Sequence, residues 1–375
     1  MEINGEYYID NKKFYTRSDF LQYCINHDRD ISNGSFVYPN LPENIDIRNY
    51  VPPIDASKEW LLNLKKRNKP LVLLLSGGVD SAFALKSMIH VGCPPDFILI
   101  YNLKPFNTPL PFCSYSMEPT LAMEYFKNLK SVTPSLKNTK IWEIKLGEEY
   151  AEEYYSNTNW PLMDLGYHHG VDTMAYWLSL PAIPDEIKNK FTFIKGGDFP
   201  EVHIDGHKMS FYIVDLKLAD RLDRKRKETH DFIIDNPLMF SSMCISYAKN
   251  YKKNINNQSK NKKMILPYNK GLGSKYLLDI FIELSKDIPP QLDKRFGCLR
   301  EHRYKLSASK NNKLVELCSQ TNLKSWMLYL ECELNKPKWY EYYKNALTIH
   351  KDWIEKSNSF SGLITEPLTI DIRKI

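Results

Sequence analysis

Ser76-Gly77-Gly78-Val79-Asp80-Ser81 is the stretch of this chain whose residue types and spacing suit phosphate chemistry. Two adjacent glycines let the backbone approach a ligand closely and adopt angles closed to other residues. If a helix starts there, its free N–H groups point at that ligand and its dipole favours an anion. Asp80 would repel a bare phosphate, so its carboxylate reads as a holder of a divalent cation. A second turn of similar make-up, Lys195-Gly196-Gly197-Asp198, again ends in a carboxylate. His168 and His169 are conspicuous: a metal or acid–base role is one reading, but adjacent side chains cannot point the same way in regular structure, which favours a structural or hydrogen-bonding role.

These turns need elements to hold them. Leu71 to Leu75 is a short, unbroken apolar run, the pattern of a strand buried on both faces of a parallel sheet. Phe83, Leu85, Met88 and Ile89 then recur at helical spacing until Gly92. The local plan is strand, glycine turn, helix. Residues 96–102 and 140–146 read as further parallel strands, and 118–130 as an amphipathic helix between them. Phe191 to Ile194 reads as another core strand leading into the second turn. An ordinary hairpin turning at Asp205-Gly206 is a competing account of that region.

The Ser76–Ser81 segment resembles the pyrophosphate-binding loop, SGGxDS, of the N-type ATP pyrophosphatases. It fits neither a Walker loop nor a dinucleotide fingerprint. That superfamily includes asparagine, NAD, GMP and argininosuccinate synthetases, tRNA lysidine and thiolation enzymes, and deazaguanine nitrile synthases. The resemblance implies an α/β fold: a doubly wound parallel sheet, adenine nucleotide alpha hydrolase-like, with a small N-terminal module and a helical C-terminal region. It implies ATP and Mg²⁺ as cofactors. Ser76, Gly77, Gly78, Asp80, Ser81, Gly196 and Gly197 would hold the phosphates, and backbone groups near Leu74, Leu75 and Tyr101 would read the base. The spacing between the two turns is similar to that in asparagine synthetases, whose Gly-Glu-Gly-Ala-Asp-Glu becomes Gly196-Gly197-Asp198-Phe199-Pro200-Glu201 here. Mg²⁺ keeps several waters, so two carboxylates, Asp80 and Asp198, plus phosphate oxygens suffice. The family also brings a lysine toward the phosphates. Lys275 copies its local motif best, while Lys294 and Arg295 lie nearer its place in the order, and both alternatives stand.

The N-terminus divides these options further. Residues 1–56 read as a hairpin around Asp10-Asn11-Lys12, a short helix capped by Ser18, and a proline-rich connector. Position 2 is Glu, whereas glutamine-dependent asparagine synthetases carry a cysteine there that begins their glutaminase domain. Nitrogen would therefore come from free ammonia, a substrate amine or a separate glutaminase or other protein partner. Residues 57–250 read as the ATP pyrophosphatase domain, 251–263 as a flexible basic loop and 264–375 as the helical region.

Composition narrows the class. Hydrophobic residues make up 43% and charged residues 26% of 375, ordinary for a folded domain of this size. No run of apolar residues is long enough for a membrane helix, and no signal pattern opens the chain, so the reading is cytoplasmic. Seven scattered cysteines never form CxxC, which speaks against a zinc site and fits reduced thiols. A net charge of +6 permits an anionic substrate without requiring nucleic acid.

The expected activity is an adenylate-forming carbon–nitrogen ligase of asparagine synthetase-like type. A small-molecule carboxylate or amide oxygen attacks the α-phosphorus of ATP, pyrophosphate leaves, and an amine or ammonia displaces AMP. The alternative is a nucleoside- or tRNA-modifying member, favoured by the basic run 221–230, the Lys-rich 252–263 segment and the aromatic tail, with RNA as partner. A non-catalytic nucleotide-binding or assembly protein on the same fold is the reading from another class, supported by the altered second turn.

Overall fold

The computed structural model describes residues 6–15, 17–38, 40–75, 79–103, 118–146, 185–197, 200–213, 229–258, 363 and 365–375. Strands β1 (Glu6–Ile9), β2 (Lys12–Phe14) and β3 (Ser35–Val37) form an antiparallel sheet in the order β2-β1-β3. Asp10 and Asn11 both take positive φ, 51° and 60°, the geometry of a two-residue hairpin turn, as the sequence predicts. Helix α1 (Arg17–Asn26) lays Phe20 and Cys24 against this sheet, where the Tyr7 ring lies 5.4 Å from that of Phe20 and 5.0 Å from that of Phe36. Ser18 falls inside the helix and not at its cap.

The central layer is a sheet of five parallel strands. Helix α2 (Lys58–Lys65) ends as Asn68 adopts φ +56°, and the chain enters β4 (Leu71–Leu74). All four residues of β4 are buried, as the apolar run requires of a strand covered on both faces. Helix α3 (Val79–His90) follows, then β5 (Phe97–Leu103), helix α4 (Glu118–Val132) and β6 (Lys140–Leu146). After the short helix α5 (Asp185–Lys188) comes β7 (Thr192–Lys195). The hairpin β8 (Glu201–Asp205) and β9 (Lys208–Tyr212) comes next, then β10 (Thr229–Asp231). The order across the sheet is β10-β7-β4-β5-β6. From β4 the chain steps outward through β5 and β6, then returns to build β7 and β10 on the other side. The order therefore reverses between β4 and β7, and the crevice at the carboxyl ends of those two strands is where such sheets bind ligands.

Alternation of side chains divides the core in two. Leu71, Leu73, Leu75, Ile98, Ile100 and Ile194 join a cluster with Phe83, Met88, Tyr125, Phe126, Leu129 and Phe240, and the buried residues of the N-terminal module belong to the same cluster. Val72, Leu74, Leu99 and Phe193 face the other way, against Trp142, Phe191 and Ile187.

Helix α6 (Pro237–Gln258) begins with Pro237 at its first position, and the Asn236 side chain accepts from the Met239 N–H at 3.1 Å. It runs on through Gln258, so residues 251–258, expected as the start of a flexible loop, are helical. Without glycine or proline in this stretch nothing stops the helix. The last strand, β11 (Leu368–Asp371), pairs antiparallel with β9, giving a third sheet in the order β11-β9-β8, so this part of the expected helical region 264–375 is a strand. Among the described residues no helix is long and apolar enough to cross a membrane.

Candidate functional site

At the reversal of the sheet, the second glycine turn expected from the sequence meets the start of the helix that follows the first. Leu74 ends β4 and is buried. Ser76, Gly77 and Gly78 lie outside the described residues, but they are the link between β4 and α3, and α3 starts at Val79. Asp80 and Ser81 therefore occupy its first turn, Asp80 half-buried and Ser81 buried.

Gly196 follows β7 directly and lies against that same turn. A Cβ built on Gly196 would come within 2.5 Å of the Ser81 nitrogen, 2.6 Å of the Asp80 carbonyl carbon and 2.8 Å of the Ser81 Cα. These are backbone atoms of a helix and cannot swing aside, so only glycine fits. Gly197 adopts φ +79°, and a Cβ there would lie 2.0 Å from Asp231 Oδ1. The second turn is thus clasped between the start of α3 and the end of β10. Tyr101 is on β5, in register with Ile144 of β6. Asp198, Lys275, Lys294, Arg295, His168 and His169 lie outside the described residues.

The hairpin that competed with the second turn as an account of this region is present as well. β8 and β9 pair from Glu201↔Tyr212 to Asp205↔Lys208, with Gly206 in the turn at φ +55°. The two readings are compatible because the glycine turn ends before the hairpin begins.

Sequence reasoning missed the charged groups beside this turn. Lys195, the last residue of β7, is in register with Asp231, the last of β10, and its Nζ lies 3.1 Å from Asp231 Oδ2. Lys195 is 16% exposed and Asp231 only 3%. Asp231 Oδ1 accepts from the N–H groups of Ile233 and Ile234 at 3.0 and 2.9 Å. Asp235 in turn accepts from the Asp231 N–H at 2.6 Å, from Tyr38 Oη at 2.6 Å and from Asn40 Nδ2 at 2.9 Å. Burial, aided by the charge of Asp231, pushes the Asp235 carboxyl up to about 6 against the pull of those donors. Tyr38 and Asn40 thus tie the connector from the N-terminal module to the turn that follows β10.

Asp231 was hidden because it follows directly on the basic run 221–230, whose last two residues, Thr229 and buried His230, lie in β10. The signal lay in Asp231-Phe232-Ile233-Ile234-Asp235-Asn236-Pro237, an apolar stretch running into a helix start. Among the described residues no group of three or more His, Cys, Asp or Glu side chains forms a metal cluster. A Mg²⁺ ion carried in with a triphosphate needs fewer protein ligands, and Asp80 in the first turn of α3 is compatible with that demand. No protein-family model matches the chain, and no curated protein matches it.

Proposed function

We propose that this protein is an ATP pyrophosphatase that activates a carbonyl oxygen as its adenylate for attack by an amine, a carbon–nitrogen ligase on an adenine nucleotide alpha hydrolase-like, doubly wound sheet. The observation that carries the reading is the contact of Gly196 with the Asp80–Ser81 backbone across the reversal between β4 and β7. It brings a second glycine turn to the end of the strand that leads into Ser76-Gly77-Gly78. Phosphates between the two turns would meet backbone N–H groups and the positive end of the α3 dipole. Asp80 and Asp198 would hold Mg²⁺, which offsets the charge of the leaving pyrophosphate. Lys275 or the Lys294–Arg295 pair would supply a cation to the departing group. The chain's own contribution is positioning and charge stabilisation, with no covalent protein intermediate required.

The test is the product pattern from ATP labelled in the γ-phosphate, incubated with Mg²⁺, ammonia and a panel of amino acids, then with RNA. Labelled pyrophosphate with AMP is expected, dependent on a carboxylate or amide acceptor. Release of orthophosphate with ADP would sink the proposal. Pyrophosphate release that depends on RNA would move the acceptor to a nucleoside, and ATP binding without turnover would favour the assembly-protein reading.

A further inference from the structure

Lys195 stands at the carboxyl end of β7, next to the glycine that touches the first turn of α3. Its ammonium is largely withdrawn from solvent and paired with a carboxylate that is more deeply buried still. A buried ion pair is a weak source of stability, because desolvation offsets the attraction between the charges. Asp231 holds its Oδ1 with two backbone N–H groups, which leaves its Oδ2 facing Lys195. That bonding fixes Oδ2, and Oδ2 fixes the ammonium. Lys195 ends β7, one of the two strands that flank the reversal of the sheet, the place at which ligands enter folds of this kind. A nucleoside triphosphate brings more negative charge there than one Mg²⁺ neutralises.

We propose that Lys195 is a further nucleotide-binding residue, a cation for the phosphates of ATP, and that Asp231 is the residue that positions it. This rests on the nucleotide reading of the same site. Asp231 keeps the ammonium oriented before ligand arrives, so little side-chain freedom is lost on binding. It also keeps the ammonium from standing as an unpaired, largely buried charge.

The experiment is equilibrium titration of the full chain with two probes, α,β-methylene ATP with Mg²⁺, and adenosine. Lys195→Met should weaken binding of the triphosphate analogue roughly 10-fold, the loss of one charge-assisted hydrogen bond. Adenosine affinity should not change, and Lys195→Arg should recover most of the loss. Asp231→Asn should weaken the analogue to a smaller extent, and should add nothing in the Lys195→Met background, because it acts through Lys195. If Lys195→Met does not fold, Lys195→Gln carries the same comparison. Equal losses for adenosine and the analogue, or no loss for either, would overturn the role of Lys195 while leaving the nucleotide reading intact. An additive effect of Asp231→Asn would overturn its positioning role. Failure of the unmutated chain to bind either probe would overturn the nucleotide reading and this inference with it.

Discussion

The parallel sheet and the antiparallel β11-β9-β8 sheet bury their strands in opposite ways. In the parallel sheet β4 is buried at every position, and β7 at all but its last. In the antiparallel sheet β9 alternates, with Met209 and Phe211 inward and Lys208, Ser210 and Tyr212 outward. The difference follows from what covers each sheet: core on both faces in the first, on one face in the second. It decides where chemistry can sit. A strand whose every side chain is needed for packing has room for charge only at its ends. Lys195 and Asp231 end their strands, and Asp80 follows one, so the polar groups gather along one rim. The antiparallel sheet spreads its polar residues over a solvated face. It serves as a strap that joins the hairpin after the second turn to the end of the chain.

Adjacent substitutions separate the two arrangements. Leu73→Ala should cost about 4 kcal/mol and Val72→Ala about half of that, because both neighbours are fully buried on opposite faces. In β11, Ile370→Ala should cost about 3 kcal/mol, whereas exposed Thr369→Ala should change stability by under about 0.5 kcal/mol. Urea unfolding of the four variants measures this directly. A large loss from Thr369→Ala would mean that the strap is covered on both faces.

The glycines sharpen the same contrast. Gly196→Ala forces a Cβ into the backbone of α3, and an overpacked contact of this kind costs about 3 kcal/mol or moves the helix away. Nucleotide binding should be lost with it. Gly206→Ala, in the hairpin turn, meets no atom within 4 Å and bears only the strain of φ +55°, about 1 kcal/mol. It should leave binding unchanged. Equal effects at the two glycines, by titration and thermal unfolding, would remove the argument that Gly196 marks a site.

Much of the parallel sheet was legible because continuous apolar runs such as Leu71–Leu75 permit few alternatives, and the hairpin because Asp205-Gly206 is a strong turn signal. The meeting of Gly196 with Asp80 and Ser81 was expected only as proximity. Its closeness depends on the strand order, which no local pattern encodes. β10 was lost in a basic run because three residues are too few to show a period. The pairing of β11 with β9 joins segments far apart in the chain, so neither strand announces its partner. The Lys195–Asp231 pair was missed for the same reason: each residue alone looks like an ordinary surface charge.

A further effect ties the N-terminal module to the rim, and it is a dependence on pH. Asp235 has its carboxyl raised to about 6 by burial and by the charge of Asp231. An unfolded aspartate loses its proton near 4, so between about 4 and 6 the folded state holds the extra proton. Stability from this group is therefore present below pH 4 and is lost as pH rises through 6. Two units correspond to roughly 3 kcal/mol, and solvent at this half-buried side chain lowers that to about 2. Asp235→Asn removes the titration and should flatten the slope of unfolding free energy between pH 4 and 6. Tyr38→Phe removes a donor that favours the charged form, so it should move the midpoint of that slope upward. The parallel sheet offers a control, since Val72→Ala should shift the whole curve without changing its slope. A Tyr38→Phe variant with an unmoved midpoint would show that the connector rests against Asp235 without holding its charge.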